Sequence, residues 1–410
     1  MDEIKICELL DAYYPNIDGP INVVKNYSKN LNKKSTCKLA VPAPAKKSKY
    51  VDKEEFEVIR CASTSAPEKY RLAQPDMDAD FTKRVANEKF DIFHAHSPFA
   101  MGRFAIKMAR KQKVPCVATI HTQYHQDFLR VLKGNKTLTQ FMISYIMKVY
   151  NKADSVWTVN NASCEILRMY GYKGKIEVVR NGTDLKYPDN AQELIDKVDE
   201  LHGLKGQKNV FIFVGRIAMY KNLGLMAEAL KILNDKGEDF KVLIVGNGFD
   251  LEKFKKMVEE LGLSDKFIFT GSVSDRQLLQ GYYLRSDLFL FPSTFDTSSL
   301  VPIEAAAHKL PTILIKGSYT AENIVDDFNG FLAEETPEAF AKKIEEIINT
   351  EGMLKKVGDE AHVSVYRSWE MVADEVYEKY KDVIKEYKRK QEIKARAKKL
   401  REAKKKAGVK

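Results

Sequence analysis

At 410 residues the chain is longer than a single hydrophobic core supports, so two domains are expected, and 44% hydrophobic with 30% charged residues is ordinary for a soluble globular protein. Five scattered cysteines without CxxC spacing argue for a reducing compartment, against a disulfide frame and against a structural zinc site. The formal charge of +10 is uneven: residues 379–410 hold 15 Lys+Arg and 4 Asp+Glu, a net of +11, so the other 378 residues sum to about −1.

The opening MDEIKICELL reads as a strand rather than a signal peptide, and no apolar run approaches the ~20 residues of a spanning helix. A cytoplasmic protein is expected, and the basic C-terminal stretch gives it a peripheral place on the inner face of the cell membrane. Tyr14-Pro15-Asn16-Ile17-Asp18-Gly19 reads as a strand end entering a turn, and Pro20 removes one N–H there. Strand-like runs KICELL, CKLAVPA, FEVIRC, FDIFHAHS, PCVATIHT, DSVWTVN and KIEVVRNG then alternate with helical stretches at 23–31, 102–112 and 163–170. Near-continuous apolar strands between helices indicate a parallel sheet covered on both faces, with ligands at the carboxyl ends of its strands.

Four of the seven histidines, His94, His96, His121 and His125, fall at two of those strand ends. His94 is expected in packing, while His96 and His125 are placed to touch an acceptor. A zinc site is compatible with the clustering, but no Cys or Glu spacing supports it, and no metal is expected. Leu138–Tyr150 is apolar nearly all round and reads as a buried helix, or as a greasy lip beside an acceptor. Lys107, Arg110, Lys111 and Lys113 form either a solvated helix face or a contact for anionic headgroups.

Asn181-Gly182-Thr183-Asp184, with Pro188 after it, is a turn signal and the expected hinge. The division predicted is 1–183, 184–366, a helix over 367–387 and a basic tail over 388–410. The second half repeats the strand habit in VFIFVG, FKVLIVGNG, KFIFTGSV, LFLFPS and PTILI, which makes a second doubly wound unit. Gly215-Arg216 and Lys221-Asn222 follow its first strand. Either cation alone reads as a surface charge. Gly246-Asn247-Gly248 ends the next strand, as a tight turn or as backbone that approaches a ligand.

Phe289–Leu314 is the most informative stretch: a short apolar strand, a polar loop, a helix start and another strand. Pro302 suits the first helical turn, and backbone amides around Ser299, Leu300 and Val301 offer an anion a seat. Asp296 and Glu304, eight positions apart, can then grip hydroxyls on either side of a diphosphate, the layout that a sugar nucleotide needs. Bland readings are a loop cap for Asp296 and a solvated helix residue for Glu304. No GxxxxGK[ST] loop occurs, which argues against a P-loop ATPase, and no Asp-x-Asp pair follows a strand to hold a catalytic divalent ion.

These residues resemble the retaining glycosyltransferases of family 4 over roughly residues 3–385. The carriers are the acidic pair Asp296/Glu304, Gly215-Arg216 with Lys221-Asn222, and the Asn-Gly-x-Asp turn. Here Asp296 replaces a Glu, Ser299 a Gly, and His308-Lys309 a small residue and Gly. The resemblance implies a GT-B fold: two Rossmann-like α/β domains facing a cleft, acceptor domain first, with a C-terminal helix crossing back to the N-terminal domain. It implies that Arg216 and Lys221 face the donor diphosphate, and that Asp296 meets the donor sugar and Glu304 the ribose. It further implies that His121 sits against the donor sugar and that the Gly19 loop approaches the diphosphate. Metal-independent transfer from a UDP-hexose without a cofactor follows. HAHSPF, HTQYHQDF and Tyr70-Arg71-Leu72-Ala73-Gln74-Pro75 are similar to bacterial enzymes that glucosylate diacylglycerol, so a lipid acceptor leads. A polysaccharide precursor, a soluble sugar and a degenerate binding or scaffold member are the alternatives.

Residues 388–410 are rich in Lys, Arg and Ala, and read as a helix that frays. An anionic membrane surface is the expected partner. An inert solubilising tail is the alternative, and without aromatic interleaving nucleic acid is not expected.

Overall fold

The computed structural model describes residues 3–15, 19–45, 47–65, 71–296 and 299–406. Asn16–Asp18 of the first turn, Tyr70, the two residues after Thr297's predecessor Asp296, and the last four residues of the basic tail lie outside the described residues. The chain forms two compact units, residues 1–180 with 369–410, and residues 181–368.

In the first unit the strands are β1 (Lys5–Leu9), β2 (Thr36–Pro42), β3 (Val58–Cys61), β4 (Ser63–Ser65), β5 (Arg71–Ala73), β6 (Ile92–Ala95), β7 (Cys116–Ile120), β8 (Ser155–Thr158) and β9 (Ile176–Val178). Among the described residues seven of them form a parallel sheet in the order β3-β2-β1-β6-β7-β8-β9, and β4 pairs antiparallel with β5. The second unit has β10 (Val210–Val214), β11 (Lys241–Val245), β12 (Phe267–Gly271), β13 (Leu288–Phe291), β14 (Thr312–Ile315) and β15 (Phe331–Ala333), parallel in the order β12-β11-β10-β13-β14-β15. Both units are doubly wound, as the alternation predicts. Every residue of β6, β7, β10 and β13 is buried, because helices cover both faces of each sheet.

Strand order reverses between β1 and β6 in the first sheet and between β10 and β13 in the second. At such a point neighbouring crossovers leave in opposite directions and open a crevice at the carboxyl ends of the strands. Glu8, His94 and His96 stand at the first crevice. Gly215, Arg216 and the loop after Phe291 stand at the second.

The first helix, Gly19–Leu31, begins four residues before the predicted stretch at 23–31. Pro20 is therefore its second residue, where the missing N–H has no intrahelical partner to lose. The terminal helix corrects the expected 367–387 helix and fraying tail, for it runs unbroken from Trp369 to Lys406. Trp369, Val372, Ala373, Val376, Tyr380 and Val383 are buried at helical spacing against the first unit. Lys379 anchors this part on Glu177 at 3.0 Å. Beyond Val383 no described side chain of the helix is buried, and it persists because Ala, Lys, Arg and Glu are good helix formers. Lys390–Glu386 at 2.8 Å and Lys398–Glu402 at 4.0 Å add pairs one turn apart.

Candidate active site

In the second unit, β10 and β11 end in glycines with unusual backbone angles, φ 153° at Gly215 and 143° at Gly246. The loops beyond them stay paired: Gly215 N–H donates to Val245 O at 3.0 Å and Ile217 N–H to Asn247 O at 3.0 Å. A Cβ on Gly246 would lie 1.9 Å from Gly215 O, and one on Gly248 2.0 Å from Ile217 O. The glycines thus let two strand ends run side by side, which fixes where Arg216 leaves the sheet.

Arg216 is exposed, and among the described residues it has no hydrogen-bond or ion-pair partner. Lys221 is only 8% exposed, and its Nζ lies 3.3 Å from Asp296 Oδ1 and 3.1 Å from Oδ2. An ammonium has three donors, so this contact still leaves donors for an anion. Asn222 holds the two loops together, donating to Pro292 O at 3.2 Å and to Glu335 Oε1 at 2.7 Å. Its φ of 58° is a left-handed conformation that Asn tolerates.

The helix Val301–Ala307 starts at the same edge with Pro302 second, and no side chain caps it. Glu304 in its first turn is half-buried and accepts a hydrogen bond from Tyr283 Oη at 2.9 Å. Burial raises its carboxyl above the usual range, and the Tyr283 bond opposes that rise. His308 stacks on Tyr283 with ring centroids 5.3 Å apart and bonds through Nδ1 to Glu304 O at 2.7 Å. The solvated-residue reading of Glu304 is therefore replaced by a fixed carboxylate. Tyr283 carried no signal in the sequence, since it reaches Glu304 from a separate helix. Tyr220, Phe249 and Phe295 are exposed together beside Lys221 and Asp296, with ring centroids 4.7 Å apart for Tyr220–Phe295 and 6.2 Å for Tyr220–Phe249.

In the first unit the histidines do not all face a ligand. His94 is fully buried, with Nδ1 2.5 Å from Tyr380 Oη and Nε2 2.7 Å from Thr119 Oγ1. His96, expected to touch an acceptor, is instead buried between Glu8 and His121. Its Nε2 lies 2.5 Å from Glu8 Oε2 and its Nδ1 2.9 Å from His121 Nε2. The parallel register pairs Glu8 with His94, which brings a carboxylate to these rings that no local spacing revealed. Ligand-capable atoms of Glu8, His94 and His96 lie within 4.8 Å of one another. Both nitrogens of both rings are already engaged in the hydrogen bonds given above.

His121 and His125 are half-buried. His125 lines a surface recess with Leu129, Gln140 and Phe141. The helix over Lys136–Tyr150 is not buried all round: Ile143, Ile146, Met147, Val149 and Tyr150 enter the core, while Leu138 and Phe141 face solvent. Gly19 has open space around it as the first residue of its helix. Lys107 pairs with Asp76 at 2.5 Å, and Arg110 donates to Lys152 O at 3.3 Å. Asp11, unremarked in the sequence, ties the ends of β1 and β6 by accepting from Ser97 Oγ at 2.6 Å and Met101 N–H at 2.9 Å.

Two family descriptions cover most of the chain: Glycosyltransferase Family 4 over residues 17–187 and Glycosyl transferases group 1 over residues 194–363. The chain belongs to the family 4 glycosyltransferases. This transferase is 27% identical to an alpha-monoglucosyldiacylglycerol synthase of Acholeplasma laidlawii, over 82% of this chain and 85% of that one. It is 24% identical to the synthase of the same name from Streptococcus pneumoniae, over 91% and 85%. The crystal structure of Anabaena Alr3699/HepE in complex with UDP matches with a TM-score of 0.73 at 16% identity, covering 92% of this chain and 100% of that one. That likeness shows the fold, GT-B with two parallel-sheet domains. The transferase is an enzyme that uses a nucleotide-sugar donor. Among its described residues no helix is long and apolar enough to cross a membrane.

Proposed function

We propose that this transferase moves a hexose, glucose first among candidates, from a UDP-sugar to a membrane lipid such as diacylglycerol or a glycosyl-diacylglycerol, with retention at the anomeric carbon. The observation that carries the donor reading is the Lys221–Asp296 pair beside Arg216, which has no partner among the described residues, with Glu304 fixed by Tyr283 at the same sheet edge. The leaving nucleoside diphosphate gains negative charge as the glycosidic bond breaks. Arg216 and the remaining donors of Lys221 stabilise that gain more than the ground state. Asp296, held by Lys221, takes donor-sugar hydroxyls, Glu304 the ribose, and the amides of Ser299, Leu300 and Val301 the phosphates. His121 positions the sugar in this reading. The departing diphosphate accepts the acceptor's proton on the same face, so neither a protein nucleophile nor a metal ion is assigned a step.

The names of the two synthases and the exposed Tyr220–Phe249–Phe295 cluster support a lipid acceptor. Labelled hexose from a panel of UDP-sugars, offered diacylglycerol vesicles and soluble sugars in parallel, tests it. Label is expected in the organic phase from UDP-glucose, and label only in soluble sugars overturns the lipid reading.

Peripheral attachment to the inner face of the membrane is part of the same proposal. Each Lys or Arg near an anionic surface contributes on the order of 1 kcal/mol. Removal of residues 388–410 is expected to release the protein from anionic vesicles on sedimentation, with full release at high salt. Unchanged sedimentation removes the tail from the attachment.

A further inference from the structure

We propose that Glu8, His96 and Tyr380 are positioning residues that set whether His121 presents a hydrogen-bond donor or an acceptor to its ligand. The proposal rests on the reading of His121 as a sugar-positioning residue, and it deepens that reading.

The geometry is a single chain of contacts. Tyr380 Oη, on the terminal helix, donates to Glu8 Oε1 at 2.8 Å. Glu8 Oε2 meets His96 Nε2 at 2.5 Å, and His96 Nδ1 meets His121 Nε2 at 2.9 Å. Among the described residues His121 Nδ1 has no partner, so it is the nitrogen left for a ligand. A neutral imidazole has one N–H and one lone pair, so each contact fixes the next. With Glu8 ionised, His96 donates from Nε2, its Nδ1 accepts from His121 Nε2–H, and His121 Nδ1 is an acceptor. With Glu8 protonated on Oε2 the Glu8–His96 and His96–His121 bonds both reverse. Glu8 donates to His96 Nε2, His96 Nδ1–H donates to His121 Nε2, and His121 Nδ1 carries a proton. The two states differ by one proton. It enters at His121 Nδ1, the Nε2 proton of His121 passes to His96 Nδ1, and the Nε2 proton of His96 passes to Glu8 Oε2.

The side branch keeps its direction in both states. Thr119 Oγ1–H donates to His94 Nε2, His94 Nδ1–H to Tyr380 Oη, and Tyr380 O–H to Glu8. The groups around Glu8 and His96 are His94 on β6, His96 itself just after β6, His121 after β7, Tyr380 on the terminal helix, Tyr27 on the first helix, Cys37 on β2 and Cys7 on β1. None of them is a fixed cation. Burial accordingly pushes the Glu8 carboxyl from its ordinary 4.5 to about 8, opposed by the Tyr380 hydrogen bond, and holds His96 neutral down to about 3. His121 is likewise held well below its ordinary range by burial.

Glu8→Gln keeps the shape and one acceptor for Tyr380, while its amide always donates to His96. The full-length protein should then show two changes. The limb near pH 8 in kcat/KM disappears, and nitrogen NMR of the His121 ring, which in the wild type moves from Nδ1–H below pH 8 to Nε2–H above it, stays Nδ1–H throughout. Tyr380→Phe removes one donor to the carboxylate, so both transitions move up by about one pH unit or more. UDP affinity is expected to stay within twofold in both variants, because the donor-binding residues belong to the other unit.

Stability reads the same group without turnover. A carboxyl whose folded value is raised contributes stability below 4.5 that is lost as the pH rises through about 8. The wild type should lose several degrees of Tm more than Glu8→Gln between pH 6 and 9. A wild-type limb and tautomer change that persist in Glu8→Gln overturn the proposal. A tautomer change that tracks Glu8 in a protein that transfers to no acceptor supports the chain and overturns the proposed function instead.

Discussion

Arg216→Ala is expected to lower kcat about a hundred- to a thousandfold while leaving the melting temperature within a degree of the wild type. The rate effect is that of removing one preorganised donor from a site of developing charge. The stability effect is small because Arg216 is exposed and has no partner among the described residues. Lys221→Met separates the two consequences differently. It should cost a similar factor in kcat, and in addition about 2 kcal/mol of stability, because Asp296 loses its cation at a half-buried position. Steady-state kinetics with UDP-glucose and thermal unfolding of both variants check this. Full activity of Arg216→Ala removes the diphosphate assignment, and an unshifted Tm for Lys221→Met removes the structural half of the Lys221–Asp296 pair.

The second large effect is one of stability. Gly246→Ala would place a Cβ 1.9 Å from Gly215 O, on a backbone with φ 143°. Nothing flexible stands there, since the opposing atom is backbone held by Gly215 N–H···Val245 O. Backbone strain and overpacking together give about 4 kcal/mol, which for a unit of this size lowers Tm by roughly 10 °C. Because the collision is with the residue before Arg216, UDP affinity should fall with it. Gly224→Ala is the contrast: it lies in the helix Leu223–Asp235, its Cβ would meet only methionine side chains at 3.5 Å, and Ala suits a helix better than Gly. It should be neutral or slightly stabilising. Calorimetry that shows equal Tm values for the two variants contradicts the close approach of the β10 and β11 loops.

Much of this was legible along the chain. Fully buried strands such as Val210–Val214 announce themselves as unbroken apolar runs, and the helices between them force a parallel sheet. The placement of Arg216 and Lys221 after β10 and of Glu304 on the helix after β13 was readable, because spacing along the chain is spacing in the loop. Surface composition was less informative. Leu138–Tyr150 looked apolar all round, yet Leu138 and Phe141 face solvent, because composition does not say which face a neighbour covers. The basic tail looked ready to fray, yet pairs one turn apart accompany a helix that continues to Lys406.

By itself, then, the sequence determined the two doubly wound units and the chemical type of the side chains at their strand ends, because buried periodicity and short-range spacing are local properties. Tertiary structure alone decided the partners. Asp296 meets a lysine 75 residues away, Glu8 meets His96 88 residues away, and Tyr380 meets Glu8 across 372 residues. Such contacts are set by the register of parallel strands and by the docking of the terminal helix, neither of which is written in any one stretch of chain. The two carboxylates eight positions apart are, in the folded chain, a lysine-held aspartate and a tyrosine-held glutamate.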